Sequence, residues 1–126
     1  MNGLNLQAIE GGTFRADASQ DGAGITVRFS GTADLSAREQ LESLLLRLHA
    51  EAQRLGVSEV AVDFRQLEFM NSSCFKGLVG WLTGVQDLEA DKQYRIRLLS
   101  RPELLWQRRS LHALRCFAVD LISIET

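Results

Sequence analysis

Proline is nearly missing from this chain: Pro102 is the only one in 126 residues. Cysteine and histidine are scarce too, at two each. These shortages exclude whole classes. Cys74 and Cys116 fit no zinc spacing, and no signal-peptide pattern precedes them, so free thiols in a reducing cytoplasm are expected. Basic residues are not in surplus. The formal net charge is -2, with both signs mixed along the chain. A nucleic-acid binder usually carries a basic stripe, so no nucleic-acid partner is expected. Arg108, Arg109 and Arg115 cluster weakly near the end and read as solvated helix surface. Long apolar runs are absent, each broken by Arg47 or by glycines, which argues against membrane insertion. There is no internal repeat, no low-complexity segment and no glycine-rich phosphate loop, so no cofactor is expected.

Catalytic constellations are missing as well. Asp63 has no carboxylate companion at a spacing that suits acid–base chemistry. His49 and His112 each stand alone and read as surface histidines, so neither a catalytic nor a metal site is expected. What remains is an ordinary globular composition, 45% apolar and 24% charged, of a length that suits one domain with one core.

Periodicity orders the elements. Ile25, Val27 and Phe29 alternate with Thr26, Arg28 and Ser30, a half-buried strand. Residues 20–24 form a turn around Asp21-Gly22, with residues 13–18 as the partner strand of a hairpin. Residues 1–12 form either an arm or an extra strand, through Leu4, Leu6 and Ile9, and residues 13–126 form the domain. Ser36 and Glu39 make a capping-box pattern before a helix whose apolar stripe runs Ala37, Leu41, Leu44, Leu45, Leu48, Ala52 and Leu55. Gly56 is placed to cap its end. Val60, Val62 and Phe64 predict a second alternating strand. A second helix follows, with Phe75, Leu78, Val79, Leu82 and Val85 as its buried stripe. Tyr94, Ile96 and Leu98 predict another strand. Pro102 and Glu103 then open a third helix, anchored by Leu104, Leu105, Leu111 and Leu114. Residues 119–124 close the sheet. Alternating strands and helices imply parallel pairings with right-handed crossovers, and the hairpin adds an antiparallel pair. The expected fold class is α/β: a small mixed sheet with three helices on one face.

The junction between the second alternating strand and the second helix is the most informative segment. It reads Phe69-Met70-Asn71-Ser72-Ser73-Cys74-Phe75-Lys76-Gly77. Ligand sites in open α/β sheets gather at the carboxyl ends of strands, and a helix start offers free amides and partial positive charge. A phosphate on a serine there would meet favourable groups, and Lys76 lies three residues beyond Ser73 on the same helical side. The competing reading is helix capping, for which serine and asparagine are both well suited.

The chain resembles a STAS domain, the fold of bacterial anti-sigma-factor antagonists, over about residues 13–124 in element order. Two segments carry the resemblance. Ile25-Thr26-Val27-Arg28-Phe29-Ser30-Gly31-Thr32-Ala33-Asp34 is similar to the family's second strand, which ends in a glycine and, three residues on, an aspartate. Val62-Asp63-Phe64 through Ser73 is similar to its third strand and signature turn. In regulatory members that turn reads Asp-Ser-Ser or Asp-Ser-Thr, then glycine, and a partner anti-sigma factor that is also a kinase phosphorylates the second hydroxyl residue. Ser73 is the matching position. Asn71 replaces the family's aspartate, Cys74 its glycine, and Lys76 a second small residue. The resemblance implies a cytoplasmic, phosphorylation-controlled protein-binding module, not an enzyme. Its partner would be an anti-sigma factor or related serine kinase, with a phosphatase as a further partner. The alternative is an unphosphorylated scaffold or accessory subunit of a transport or signalling assembly. The implied partner surface comprises Asp34, Asn71, Ser72, Cys74, Lys76, Gly77 and Trp81 around Ser73.

At about a hundred degrees per residue, Ser73, Gly77, Gly80 and Gly84 fall on one line of the second helix, flanked by Trp81 and Leu88. Each glycine costs roughly 1 kcal/mol of helix stability against alanine, so three in one stripe imply a close neighbour. That neighbour is either another helix of the domain or a partner protein. Trp81, directed away from the apolar stripe, is expected to be an exposed interface anchor.

Overall fold

The structure, a computed structural model, describes residue 4 and residues 6–126. Ile9–Gly11 (β1), Phe14–Asp21 (β2), Gly24–Ala33 (β3), Glu59–Met70 (β4), Arg95–Leu99 (β5) and Ile122–Glu125 (β6) form one six-stranded sheet in sequential order. The first three strands are antiparallel, and β3 to β6 run parallel. Helices Arg38–Leu55 (α1), Ser72–Gln86 (α2) and Leu105–Phe117 (α3) make the three crossovers. Strands added always on the same side, each by a right-handed crossover, put all three helices on one face. The burial pattern agrees. Ile25, Val27, Phe29, Val60, Val62, Phe64, Ile96 and Leu98 are buried beneath the helices. The opposite face carries charge pairs instead, including Arg28 with Asp17 and Arg65 with Asp63. The expectation of an arm or strand over residues 1–12 includes residues 1–3 and 5, which lie outside the described residues.

Two glycines show why this backbone needs them. Gly56 ends α1 at φ 64°, a left-handed cap whose amide reaches back to Ala52 and Gln53. Gly31 has φ 85°, and a Cβ there would sit 1.9 Å from the Thr13 carbonyl oxygen. That close approach lets Thr32 N donate to Thr13 O at 2.8 Å.

β4 is much longer than its alternating core at 60–64 suggests. Its twelve residues face ten of β3, and the excess is absorbed at two register shifts near Arg28/Ser30 and Gly31/Thr32. β5 pairs with β4 only as far as Asp63. Beyond that point Gln107 of α3 does a strand's work. Its Nε2 donates to Phe64 O at 2.6 Å and Leu67 O at 2.9 Å, and its Oε1 accepts from Arg101 N at 2.7 Å. Gln107 is fully buried.

Three local expectations fail. The Ser36–Glu39 capping box does not form, because Asp34 caps a short 3-10 helix, Leu35–Ala37, that precedes α1; Ser36 N and Ser36 Oγ both donate to Asp34. Pro102 and Glu103 lie in a turn, and α3 begins at Leu105, because Arg101 N is held by the Gln107 side chain. Leu105 is then 55% exposed, so the anchors of α3 are Leu111, Leu114 and the buried Gln107.

Candidate functional site

β3 and β4 end together at the carboxyl edge of the sheet, where Asn71 N donates to Ala33 O at 2.7 Å. This bond sets the two following helix starts, residues 34–35 and 71–72, side by side. Asn71 is the cap of α2: its extended backbone turns its Oδ1 onto Ser73 N at 2.6 Å. The capping question therefore resolves to asparagine. Ser72 and Ser73 occupy the first helical positions, and among the described residues neither hydroxyl has a hydrogen-bond partner. Ser72 is exposed and Ser73 half-buried. Lys76, one turn on, is exposed and makes no ion pair among the described residues.

The surroundings combine one fixed charge with apolar surface. The Ser36 hydroxyl bond holds the Asp34 carboxyl below its usual range, reinforced by backbone donors, so Asp34 is a carboxylate at neutral pH. Leu35, next to it, is 62% exposed, and Phe69, two residues before Asn71, is 48% exposed. Both are large apolar side chains facing water at the edge that presents the serines. Neither belongs to the predicted surface. The period-two pattern of β4 could not find Phe69, because the register shifts break that pattern before the residue is reached.

Two predicted surface residues are in the interior. Cys74 is fully buried, its Sγ 3.4 Å from Asp34 O. Burial, then the negative charges of Asp34 and Glu42, pushes its thiol pKa up, the reverse of an activated cysteine. Trp81 is only 6% exposed. Its indole donates to Tyr94 Oη at 2.8 Å, and Tyr94 Oη lies 2.7 Å from His49 Nδ1. Tyr94 is therefore the hub of a chain joining α2, the start of β5 and α1. His49, read from sequence as a surface residue, is half-buried for the same reason. Tyr94 lay outside the sequence argument except as a strand residue, since neither of its partners is near it in sequence.

The glycine line of α2 faces α1. A Cβ on Gly77 would lie 3.4 Å from Glu42 Cγ, and one on Gly84 3.7 Å from His49 Nε2, while one on Gly80 would meet nothing within 4 Å. The two helices leave a cavity of about 510 Å³ between them, with Ser73 and Lys76 at one end and His49 and Gly84 further along. The close neighbour is thus the domain's own helix at Gly77 and Gly84, and open space at Gly80. No group of three or more His, Cys, Asp or Glu side chains able to hold a metal occurs among the described residues. No helix there is long and apolar enough to cross a membrane.

No protein-family model matches this chain, and no curated protein matches it significantly by sequence. Solved structures do. An anti-sigma factor antagonist from Mycobacterium paratuberculosis superposes with a TM-score of 0.66 at 15% identity, covering 89% of this chain and 85% of that one. The anti-sigma factor antagonist SpoIIAA in its unphosphorylated form gives a TM-score of 0.57 at 17% identity, covering 88% of each. The fold is that of the anti-sigma factor antagonists. At these identities the likeness establishes the STAS architecture, and the serine edge carries the functional argument.

Proposed function

We propose that this STAS-fold domain is a phosphorylation-controlled protein-binding module rather than an enzyme, with Ser73 as the phosphoacceptor. Its partner is of the anti-sigma factor or switch-kinase type and docks on the strand-end edge formed by Asp34, Leu35, Phe69, Asn71 and Ser72, beside Lys76. The observation that carries this reading is the cap: Asn71 takes the first-turn amide, which leaves the Ser73 hydroxyl without an internal task. The exposed Leu35 and Phe69 supply apolar contact area next to it. Phosphate on Ser73 would bring roughly two negative charges to that edge, close to the Asp34 carboxylate, and weaken the complex by repulsion and desolvation.

The second reading, a constitutively bound scaffold subunit, draws on Asn71, which lacks the charge of the family's aspartate. Mass spectrometry of the protein from its native cell separates the two. The switch reading expects phosphate at Ser73, capture of the cognate partner by Ser73→Ala, and weaker capture by Ser73→Asp. Phosphate only at Ser72, or none under any growth condition with the kinase present, would sink it and leave the scaffold.

A further inference from the structure

The cavity between α1 and α2 has features that a protein-docking edge does not require. Its volume, about 510 Å³, is that of a small-molecule pocket. Its walls are Leu45, Leu46 and the Trp81 ring, and the bare backbone of Gly77, Gly80 and Gly84 gives it a flat side. Gly80 has nothing within 4 Å of its missing side chain, so internal packing does not explain that glycine.

Two unspent donors stand at different places along it. Trp81 Nε1 can only donate, so Tyr94 Oη accepts that bond, and giving its own hydrogen to His49 Nδ1 is the arrangement that leaves no Tyr94 hydrogen unbonded. In that tautomer neutral His49 carries its own hydrogen on Nε2. That nitrogen lies over Gly84 and has no partner among the described residues. Burial lowers the His49 pKa, which favours this neutral form. At the Ser73 end, Lys76 brings an ammonium with no ion pair among the described residues. Arg38, also on the wall, is already paired with Glu42 at 3.0 Å. The cavity therefore offers one uncompensated positive charge, a flat apolar middle and one neutral N–H donor.

We propose that this cavity binds a planar aromatic monocarboxylate. Its carboxylate pairs with Lys76, its ring lies on the glycine line against Leu45 and Trp81, and a ring substituent able to accept a hydrogen bond meets His49 Nε2. One free ammonium matches a monoanion; a polyphosphate would need more cations than the cavity holds. The site adjoins the docking edge at Ser73 and Lys76 but does not rest on Ser73 being phosphorylated.

Naphthoate and its neutral analogue naphthamide test the proposal on the full chain by amide NMR titration, with no partner or kinase present. Naphthoate is expected to give saturable shifts at Gly77, Gly80 and Gly84. Lys76→Gln weakens naphthoate about tenfold, the loss of one charged contact, and leaves naphthamide unchanged. Gly80→Leu places a side chain in the open space and abolishes binding of both. That variant keeps its fold and melts higher, because leucine is the better helix former. Naphthoate that does not saturate, shifts that map elsewhere, binding that survives Gly80→Leu, or equal losses of acid and amide in Lys76→Gln would each overturn the proposal.

Discussion

Helices α2 and α3 start from the same edge of the sheet, after the neighbouring parallel strands β4 and β5, yet their first turns handle polar groups in opposite ways. At α3 the polar side chain that serves the junction, Gln107, is turned inward and bonded, although Trp106 Nε1 in the same turn is buried without a partner among the described residues. Leu104 supplies no side-chain cap, and the amide of Arg101 is taken instead by Gln107, whose other end satisfies two carbonyls of β4. At α2 one side chain, Asn71, caps the helix, and the Ser72 and Ser73 hydroxyls and the Lys76 ammonium have no partner among the described residues. Buried polar groups are mostly bonded within the fold, whereas exposed ones can be left to water or to a partner. The contrast separates a junction that holds the sheet together from one that the fold leaves available.

The largest expected effect lies on the α3 side. Gln107→Leu keeps the volume but strips partners from Phe64 O, Leu67 O and Arg101 N, all near a fully buried position. Each orphaned group costs about 1 to 3 kcal/mol, so a loss on the order of 3 kcal/mol or more is expected in urea unfolding. A loss below about 1 kcal/mol would show that water or a shifted strand replaces Gln107, and the inward half of the comparison would fail.

A middle-sized effect belongs to the chain between α1 and α2. Tyr94→Phe removes the acceptor of the Trp81 indole and the partner of His49 Nδ1, at a cost of about 2 kcal/mol. The same network makes stability pH-dependent. Burial holds the His49 pKa below its ordinary 6.5, so the unfolded chain binds the proton first as pH falls. The stability from neutral His49 is complete above that value and is lost as pH drops toward the lowered pKa. Urea midpoints between about pH 7.5 and 5.5 should fall in the native protein and flatten in His49→Gln. An equal fall in both would assign the effect to other groups.

Sequence alone carried the sheet order further than the site. Strict alternation in β3 and β5 and the long leucine stripe of α1 express one buried face each, and such patterns survive folding unchanged. β4 did not, because its register shifts interrupt the period of two and move Phe69 outward. Trp81 misled for a related reason. Its position on the helix points away from the leucine stripe, but the glycines beside it leave room for the ring to fold in toward Tyr94. Gln107 did leave a trace: it stands at helical spacing with Leu111 and Leu114, a polar residue in an apolar stripe. A polar side chain at such a place marks backbone groups that need it. The serine edge was legible as a junction, while the division of labour between Asn71 and the serines required coordinates.

The smallest effects test the α2 side, and there the comparison turns on inequality. Asn71→Ala deletes the cap bond to Ser73 N and is expected to cost about 1 kcal/mol. Asn71→Asp keeps an acceptor and adds a negative charge at the helix start, so it should match or exceed the native stability by up to about 1 kcal/mol at low salt. Ser72→Ala and Ser73→Ala remove hydroxyls without internal partners and put a better helix former in the first turn, so each should stay within about 0.5 kcal/mol of the native chain. Thermal or urea melts of the four variants, compared side by side, read this directly. If Ser73→Ala proved as costly as Asn71→Ala, its hydroxyl would be part of the cap. A capping hydroxyl is not one held ready for a phosphate, and the distinction between the two helix starts would collapse.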